Sequence, residues 1–148
     1  MTYPYNVPVS FSFDVKIAGM DGDGECSFRD VSGLTVKLDV EKISEGGLND
    51  YVHKLPKLPQ YSEVVLKRGL LKNSAVIKWI NNAIRNFKFE PTQVYISLLD
   101  ENGKSSFKWT LRNAYPIGIE ISEFKAQENA IVIETLTLAY DFFVRTES

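Results

Sequence analysis

The amino-acid sequence predicts a mainly β protein, an antiparallel β-barrel or sandwich with one flanking α-helix that covers one end or one face. Two observations support this fold class. Apolar residues alternate with polar ones over most of the chain, which is the period of a half-buried strand, and only residues 74–87 have the period of an amphipathic helix. With 148 residues, 44% of them hydrophobic, the chain is long enough for a single domain, residues 1–148.

The first strands are expected in the N-terminal third of the chain. Residues 7–17 alternate apolar and polar side chains without interruption, and a turn rich in glycine and aspartate follows at 19–24. A second strand begins at 28–31, is interrupted at Gly33 and resumes at 36–40. Because a glycine inside a strand pattern weakens the pairing there, the interruption suggests a β-bulge.

Residues 44–61 have no hydrophobic period, and we expect a long loop there. Glycines and prolines argue against regular structure across the segment, and apolar side chains argue against disorder. The glycines and prolines are Gly46, Gly47, Pro56 and Pro59, and the apolar residues are Tyr51, Val52, Leu55 and Leu58. A loop that is both long and apolar is expected to dock on another surface.

The single helix is expected after a short strand at 63–67. It should begin at Asn73 or Ser74 and end near Phe87. Its apolar residues fall within one stripe of about 120°, with Trp79 at the edge of the stripe and mainly polar side chains opposite. One face of the helix is therefore expected to pack on a sheet.

The remaining strands follow the helix. Asn102-Gly103 is a strong hairpin signal between strands at 94–99 and 107–111. Two further alternating segments lie at 117–121 and 130–144, and the second is long for a strand of a globular domain. The sequence thus predicts six or seven strands in all.

Composition excludes several classes of protein. Cys26 is the only cysteine, so no internal disulfide is possible. The longest run of apolar residues has four members, at 130–133, whereas a membrane-spanning helix needs about twenty. Residues 1–10 lack the basic and apolar regions of a signal peptide. We expect synthesis in the cytoplasm and no direct membrane insertion.

Residues suited to catalysis or metal binding are scarce. A Cys/His pair would have to join Cys26 and His53, and nothing in the sequence marks either as a nucleophile or a base. Zinc-ligand spacing and a complete calcium loop are absent, and the sequence before Lys104 lacks the first glycine of a phosphate-binding loop. A catalytic carboxylate pair stays open, because acidic residues are numerous. We expect no enzyme activity, no metal and no cofactor.

Nucleic-acid binding is an alternative function of a different class. Lysines and arginines near aromatic residues are the ingredients of single-strand binding on a β-barrel. These are Lys54, Lys57, Lys67, Arg68 and Lys72, with Tyr51 and Tyr61. The sequence pI of about 5.5 argues against this function, since nucleic-acid-binding domains are usually basic throughout.

Charge is divided along the chain into three segments. Residues 1–53 carry a net charge of −5, residues 54–88 carry +7, and residues 89–148 carry −4, which sum to the net −2 of the chain. A basic centre between acidic flanks fits a polyanion site, a contact between copies, or charges that intermix on folding. With few catalytic residues and a long apolar loop, the sequence favours a protein that assembles with copies of itself.

Seven segments of the sequence together resemble the phage tail-tube protein family, which includes the inner tubes of contractile injection systems. They occur in the order expected for the family, at residues 5–13, 28–34, 45–56, 66–70, 98–103, 109–116 and 128–139. The most specific are Asn-Asp-Tyr-Val-His-Lys-Leu-Pro at 49–56 and Leu-Lys-Arg-Gly at 66–69.

The resemblance implies an Hcp-like β-barrel subunit that forms hexameric rings. The rings would stack into a tube around a lumen that conducts a cargo effector or DNA, with sheath protein outside and spike, hub and baseplate proteins as further partners. Assembly in the bacterial cytoplasm would precede incorporation into an extracellular particle, a cell-anchored injection system or a phage virion. It also implies a helix outside the barrel.

The resemblance further implies that the loop at 44–61 reaches the adjacent subunit and ring. The residues expected at contacts between subunits or rings are Gly46, Gly47, Asn49, Asp50, Tyr51, His53, Lys54, Leu55, Pro56, Lys67 and Arg68. Polar members of alternating strands are expected to face the lumen, with Lys37, Asp39 and Glu41 as candidates.

Two other functions stay in play. An initiator or adaptor ring between the tube and the spike hub would form discrete rings rather than long stacks. A monomeric ligand-binding β-barrel would show no concentration-dependent assembly and would enclose a cavity.

Overall fold

The computed structural model describes residues 12–20, 26–43, 53–72, 74–127 and 130–147. These residues form nine β-strands and one α-helix. The elements are β1 (Ser12–Ile17), β2 (Cys26–Ser32), β3 (Val36–Ile43), β4 (His53–Tyr61), β5 (Val64–Leu71), α1 (Ser74–Asn86), β6 (Thr92–Leu99), β7 (Ser105–Lys125), β8 (Ala130–Ala139) and β9 (Phe142–Glu147).

Six strands close into an antiparallel barrel in the order β6-β1-β2-β5-β8-β7, and pairing between β6 and β7 completes it. The interior is filled by apolar side chains, among them Phe28, Leu66, Ile96, Leu111 and Ile133. No polar or charged residue is buried in the part of the chain that the structure describes. The predicted mainly β fold with one helix is confirmed, and the alternation of apolar residues explains it, since every second side chain of a barrel strand points inward.

The chain leaves the barrel after Leu71, forms helix α1 and re-enters the barrel at β6, which begins at Thr92. The buried face of α1 is formed by Val76, Trp79, Ile80 and Ala83. The indole Nε1 of Trp79 donates a hydrogen bond of 2.8 Å to the backbone carbonyl of Glu90, which satisfies the polar atom of this buried ring. The predicted helix is therefore confirmed, with Trp79 in its packed face rather than at the edge.

The end of α1 differs from the stripe that its sequence predicts. Ile84 and Phe87 were expected in the packed face, but Ile84 is 40% exposed and Phe87 is 82% exposed. Phe87 has a φ of 53°, so the chain turns into the left-handed region directly after the helix. Glycine commonly occupies that position. The turn carries the Phe87 side chain off the barrel.

Strands β3 and β4 lie outside the barrel and pair with each other as a two-stranded antiparallel ribbon. The expectation of irregular structure up to residue 61 was wrong for residues 53–61, which form β4. Among the described residues β4 pairs only with β3, and a strand with one such edge tolerates Pro56 and Pro59. The break at Gly33 is not a bulge within one strand, since the chain there leaves the barrel for the ribbon.

Two strand boundaries also differ from the prediction. The segments expected at 107–111 and 117–121 belong to one strand, β7, which has 21 residues and contains Asn113 at a φ of 53°. The single long strand expected at 130–144 is divided into β8 and β9. The hairpin at Asn102-Gly103 is confirmed, and its turn is closed by the Asp100 side chain, which accepts hydrogen bonds from the backbone N–H of Asn102 and Lys104 at 2.9 Å.

Candidate assembly interface

The β3–β4 ribbon has one apolar face. Val36, Leu38 and Val40 alternate along β3 and are between 47% and 58% exposed. Opposite residues of an antiparallel pair project to the same side, and the residues opposite these three are Tyr61, Pro59 and Pro56. The charged residues of β3 between positions 36 and 40, Lys37 and Asp39, occupy the alternate positions of the strand. A two-stranded ribbon is marginally stable alone, so an exposed apolar face of this kind needs a partner surface.

The other face of the ribbon is more polar. Lys37, Asp39 and Glu41 occupy the alternate positions of β3 and are all exposed. Asp39 lies at a β-bulge, because Leu38 pairs with Pro59 whereas Val40 pairs with Pro56, which leaves one extra residue in β4. Leu58 lies in that bulge and is 85% exposed. The three lumen candidates are therefore on the ribbon and not on the barrel wall.

The contact residues predicted in the loop fall into two groups. Gly46, Gly47, Asn49, Asp50 and Tyr51 lie outside the described residues. The second group lies on β4, where His53 and Lys54 occupy its first two positions and Leu55 and Pro56 are exposed. Leu55 is opposite Glu41, and Pro56 belongs to the apolar face.

Lys67 and Arg68 are both exposed on β5, but their surroundings differ. The guanidinium of Arg68 donates a hydrogen bond of 2.9 Å from Nε to Oδ2 of Asp30 on the neighbouring strand β2, and its terminal nitrogen binds the same oxygen. The sequence analysis did not identify Asp30 as a partner. Within the described residues, Arg68 therefore has an ion-pair partner in its own chain, and Lys67 stays a predicted contact residue.

The second half of β7 has an unpaired edge among the described residues. Residues 115–125 pair with β8 on one side, whereas β6 and β9 pair only with the first half of the strand. Ile117, Ile121 and Phe124 in this half are 41%, 50% and 60% exposed. An exposed strand edge with apolar side chains is suited to pairing with another chain.

Three aromatic rings lie at the end of α1. Phe87 contacts Phe89 edge-on with ring centroids 4.9 Å apart, and Phe89 contacts Tyr115 in the same manner at 5.3 Å. The exposed ring of Phe87 is therefore linked to the barrel strand β7 only through Phe89. The helical stripe in the sequence had placed Phe87 in the core instead.

The described part of the chain shows little that could support catalysis. Burial, and to a lesser extent the carboxylate of Asp14, raises the pKa of Cys26 from 9.0 to about 12, so the thiol is protonated at neutral pH. No group of three metal-binding side chains occurs in these segments. None of the helices in the same segments is long and apolar enough to cross a bilayer.

The apolar face of the ribbon was not identified from the sequence as a contact surface. The signal was present, since Val36, Leu38 and Val40 alternate with charged residues. That alternation was interpreted only as a source of polar lumen residues. Its meaning changes when the strand lies outside the barrel, because the apolar side chains then have no core to enter.

Comparisons with known proteins agree with this fold. A chain in the structure of the anti-feeding prophage baseplate is 26% identical, with a TM-score of 0.71 over 99% of this chain and 98% of that one. A chain in the sheath-tube complex of the extracellular contractile injection system PVC is also 26% identical, with a TM-score of 0.67 over 98% of this chain and 94% of that one. Hcp1 from Salmonella typhimurium, at 13% identity and a TM-score of 0.53 over 93% of this chain and 87% of that one, shares the fold.

No curated protein matches the chain significantly by sequence. The family model for the T4-like virus tail tube protein gp19 matches residues 9–144, which is most of the sequence. The order of motifs, the six-stranded barrel with one helix and this match agree with one another. The chain belongs to the family of T4-like virus tail tube proteins.

Proposed function

We propose that this chain is the structural subunit of the inner tube of a contractile phage tail or a related injection particle. It acts by polymerising into stacked hexameric rings around a lumen that conducts a cargo effector or DNA. The observation that carries the proposal is the apolar face of the β3–β4 ribbon, in which Val36, Leu38 and Val40 stay about half exposed among the described residues of their own chain. A neighbouring copy supplies the surface that covers them.

The remaining features fit a subunit with several neighbours. The free edge at 115–125 is suited to strand pairing between subunits, which would continue the sheet around the ring. When the apolar face of the ribbon is docked, its opposite face, with Lys37, Asp39 and Glu41, is left for the lumen or for solvent. Sheath and baseplate proteins are the proposed outer partners, in keeping with the complexes in which the similar chains occur. Assembly in the bacterial cytoplasm precedes incorporation into the particle.

The test is a substitution on each face of the ribbon. Leu38→Asp puts a charge on the apolar face, and Gln60→Asp, opposite Lys37, puts the same charge on the other face as a matched control. Purified protein is followed across a concentration series by sedimentation and negative-stain electron microscopy. We expect rings or tubes from the unchanged protein and from Gln60→Asp, and none from Leu38→Asp at the same concentrations. Equal assembly by Leu38→Asp would overturn the assigned contact.

A second candidate is an initiator ring that joins the tube to the spike hub. The similarity to a chain of the anti-feeding prophage baseplate favours it. Unlimited stacking of rings would support the bulk tube, and isolated rings that bind a spike protein would support the initiator. A strict monomer that a spike hub does not convert into rings would contradict both.

A further inference from the structure

The ribbon joins the barrel through two short chain segments, residues 33–35 and 62–63, which we call the neck. The segments are bound to each other. Ser62 N donates to the carbonyl of Thr35 at 3.3 Å, and the hydroxyl of Thr35 donates to that of Ser62 at 3.1 Å. Gly33, with a φ of 87°, lies so close to the other segment that a Cβ there would be 1.9 Å from the carbonyl oxygen of Glu63. These contacts join the two segments, and Leu34 of the first segment packs against the barrel core.

The barrel also contacts the neck through Tyr140, which lies between β8 and β9. Its hydroxyl donates a hydrogen bond of 2.6 Å to the carbonyl of Ser62, 78 positions away in the sequence. The ring of Tyr61, the last residue of the ribbon, packs edge-on against Tyr140 at 6.1 Å and against Phe143 at 5.1 Å. Partial burial and, to a lesser extent, the neighbouring Tyr61 raise the pKa of Tyr140 to about 12. The hydroxyl therefore keeps its proton at neutral pH.

The rigidity of the neck matters because the ribbon is long, so that a small rotation at the neck displaces the far end of the ribbon by a large distance. β4 has nine residues, and at about 3.3 Å per residue its tip lies roughly 27 Å from the neck. A rotation of roughly 10° at the neck would move the tip by roughly 5 Å, close to the ~4.8 Å spacing between neighbouring strands. A small loss of angular restraint would therefore take the apolar face out of register with a neighbour.

We propose that Tyr140 is a positioning residue, which holds the β3–β4 ribbon at the angle that a second copy of this chain recognises. Tyr140 acts through the carbonyl of Ser62 and the ring of Tyr61 and need not touch the neighbouring copy. The assembly part of this inference rests on the proposed function, whereas the restraint of the ribbon within one chain does not.

The test compares two tyrosines that each lose only a hydroxyl. Tyr140→Phe removes the hydrogen bond to the neck, and Tyr95→Phe removes a hydroxyl that binds the Gln93 side chain at 2.7 Å on the barrel. Spin labels at Lys57→Cys on the ribbon and Ser106→Cys on the barrel report the distance between them, below the concentration at which assembly begins. Because Cys26 is buried and its thiol is protonated at neutral pH, we expect it not to react with the labelling reagent.

We expect one narrow distance distribution for the unchanged tyrosines and for Tyr95→Phe, and a broader one for Tyr140→Phe. The concentration needed for assembly should rise about fivefold in unlabelled Tyr140→Phe, which corresponds to the loss of one hydrogen bond of typical strength. The melting temperature of this variant should change little. An unchanged distribution, or a broader one with an unchanged threshold, would overturn the proposal. If the unaltered protein never assembles, the proposed function fails, and the distance distributions still decide whether Tyr140 restrains the ribbon.

Discussion

Arg68 on β5 is hydrogen-bonded to Asp30 on β2, with Nε 2.9 Å from Oδ2, although the backbone of Arg68 has a left-handed φ of 55°. Both side chains are about half exposed, so the pair is expected to stabilise the fold by less than about 1 kcal/mol. Among the described residues, Arg68 has this ion-pair partner, whereas no ion pair is seen for the neighbouring Lys67. Arg68 links two strands of its own barrel, and Lys67 is the candidate for contact with another subunit.

Substitutions at these residues should therefore act differently. Asp30→Asn should lower the free energy of unfolding by about 0.2–1 kcal/mol, because it removes the partner of Arg68. Lys67→Glu places a second carboxylate opposite Asp30 and should lower the free energy of unfolding by about 0.2–1 kcal/mol. It should also reduce tube formation when mixed with unaltered subunits. Chemical denaturation and sedimentation separate the two effects. If Lys67→Glu forms normal tubes, Lys67 does not lie at the interface between subunits.

Gly69 on β5 should not tolerate alanine, because a Cβ there would lie 2.1 Å from Cε1 of Phe28, a fully buried ring of the core. Gly69→Ala is expected to lower the free energy of unfolding by about 1–3 kcal/mol. Gly118→Ala is the matched control, since the nearest atom to its Cβ would be 3.7 Å away, at ordinary contact distance. Denaturant titration measures both variants. Adding Phe28→Leu to Gly69→Ala should recover part of the loss, and no recovery would mean that the ring is not the obstacle.

Phe87 combines a φ of 53° with an exposed ring, and the two can be separated by substitution. Phe87→Ala removes the contact with Phe89 and keeps the left-handed strain, whereas Phe87→Gly removes both. Glycine adopts this backbone conformation without the cost of about 1–2 kcal/mol that a Cβ imposes. Glycine also loses more backbone entropy than alanine on folding, about 0.5–1 kcal/mol. In chemical denaturation, Phe87→Gly should therefore be more stable than Phe87→Ala by about 1 kcal/mol. Equal stability of the two variants would show that the backbone is unstrained.

The raised pKa of Cys26 makes stability depend on alkaline pH. Since the folded pKa of about 12 exceeds the ordinary 9.0, the unfolded chain loses this proton first. The contribution of the Cys26 thiol to the free energy of unfolding is fully present below about pH 9. It is lost as the pH rises towards 12, at about 1.4 kcal/mol per pH unit. Denaturation between pH 8 and 11 should show a steeper loss in the unaltered protein than in Cys26→Ala. Parallel curves would mean that the thiol ionises equally in both states.

The sequence by itself determined the fold class, the helix, the hairpin at Asn102-Gly103 and the resemblance to tail-tube proteins. These features are local, because strand and helix periods and turn residues depend on side chains a few positions apart. The same local reasoning placed residues 53–61 in a loop, since prolines oppose a paired strand. It could not anticipate that β4, among the residues that the structure describes, pairs with β3 alone, so that Pro56 and Pro59 cost little.

Only the tertiary structure decided how the candidate interface is built. Arg68 is 38 positions from Asp30, and Tyr140 is 78 positions from Ser62, so neither contact leaves a pattern within a short window of sequence. Alternation along β3 determined that Val36, Leu38 and Val40 share a face, and the departure of the chain from the barrel at Gly33 determined that this face is exposed. An apolar face enters a core or becomes a contact surface according to what lies beside it, and that depends on chain segments far apart in sequence.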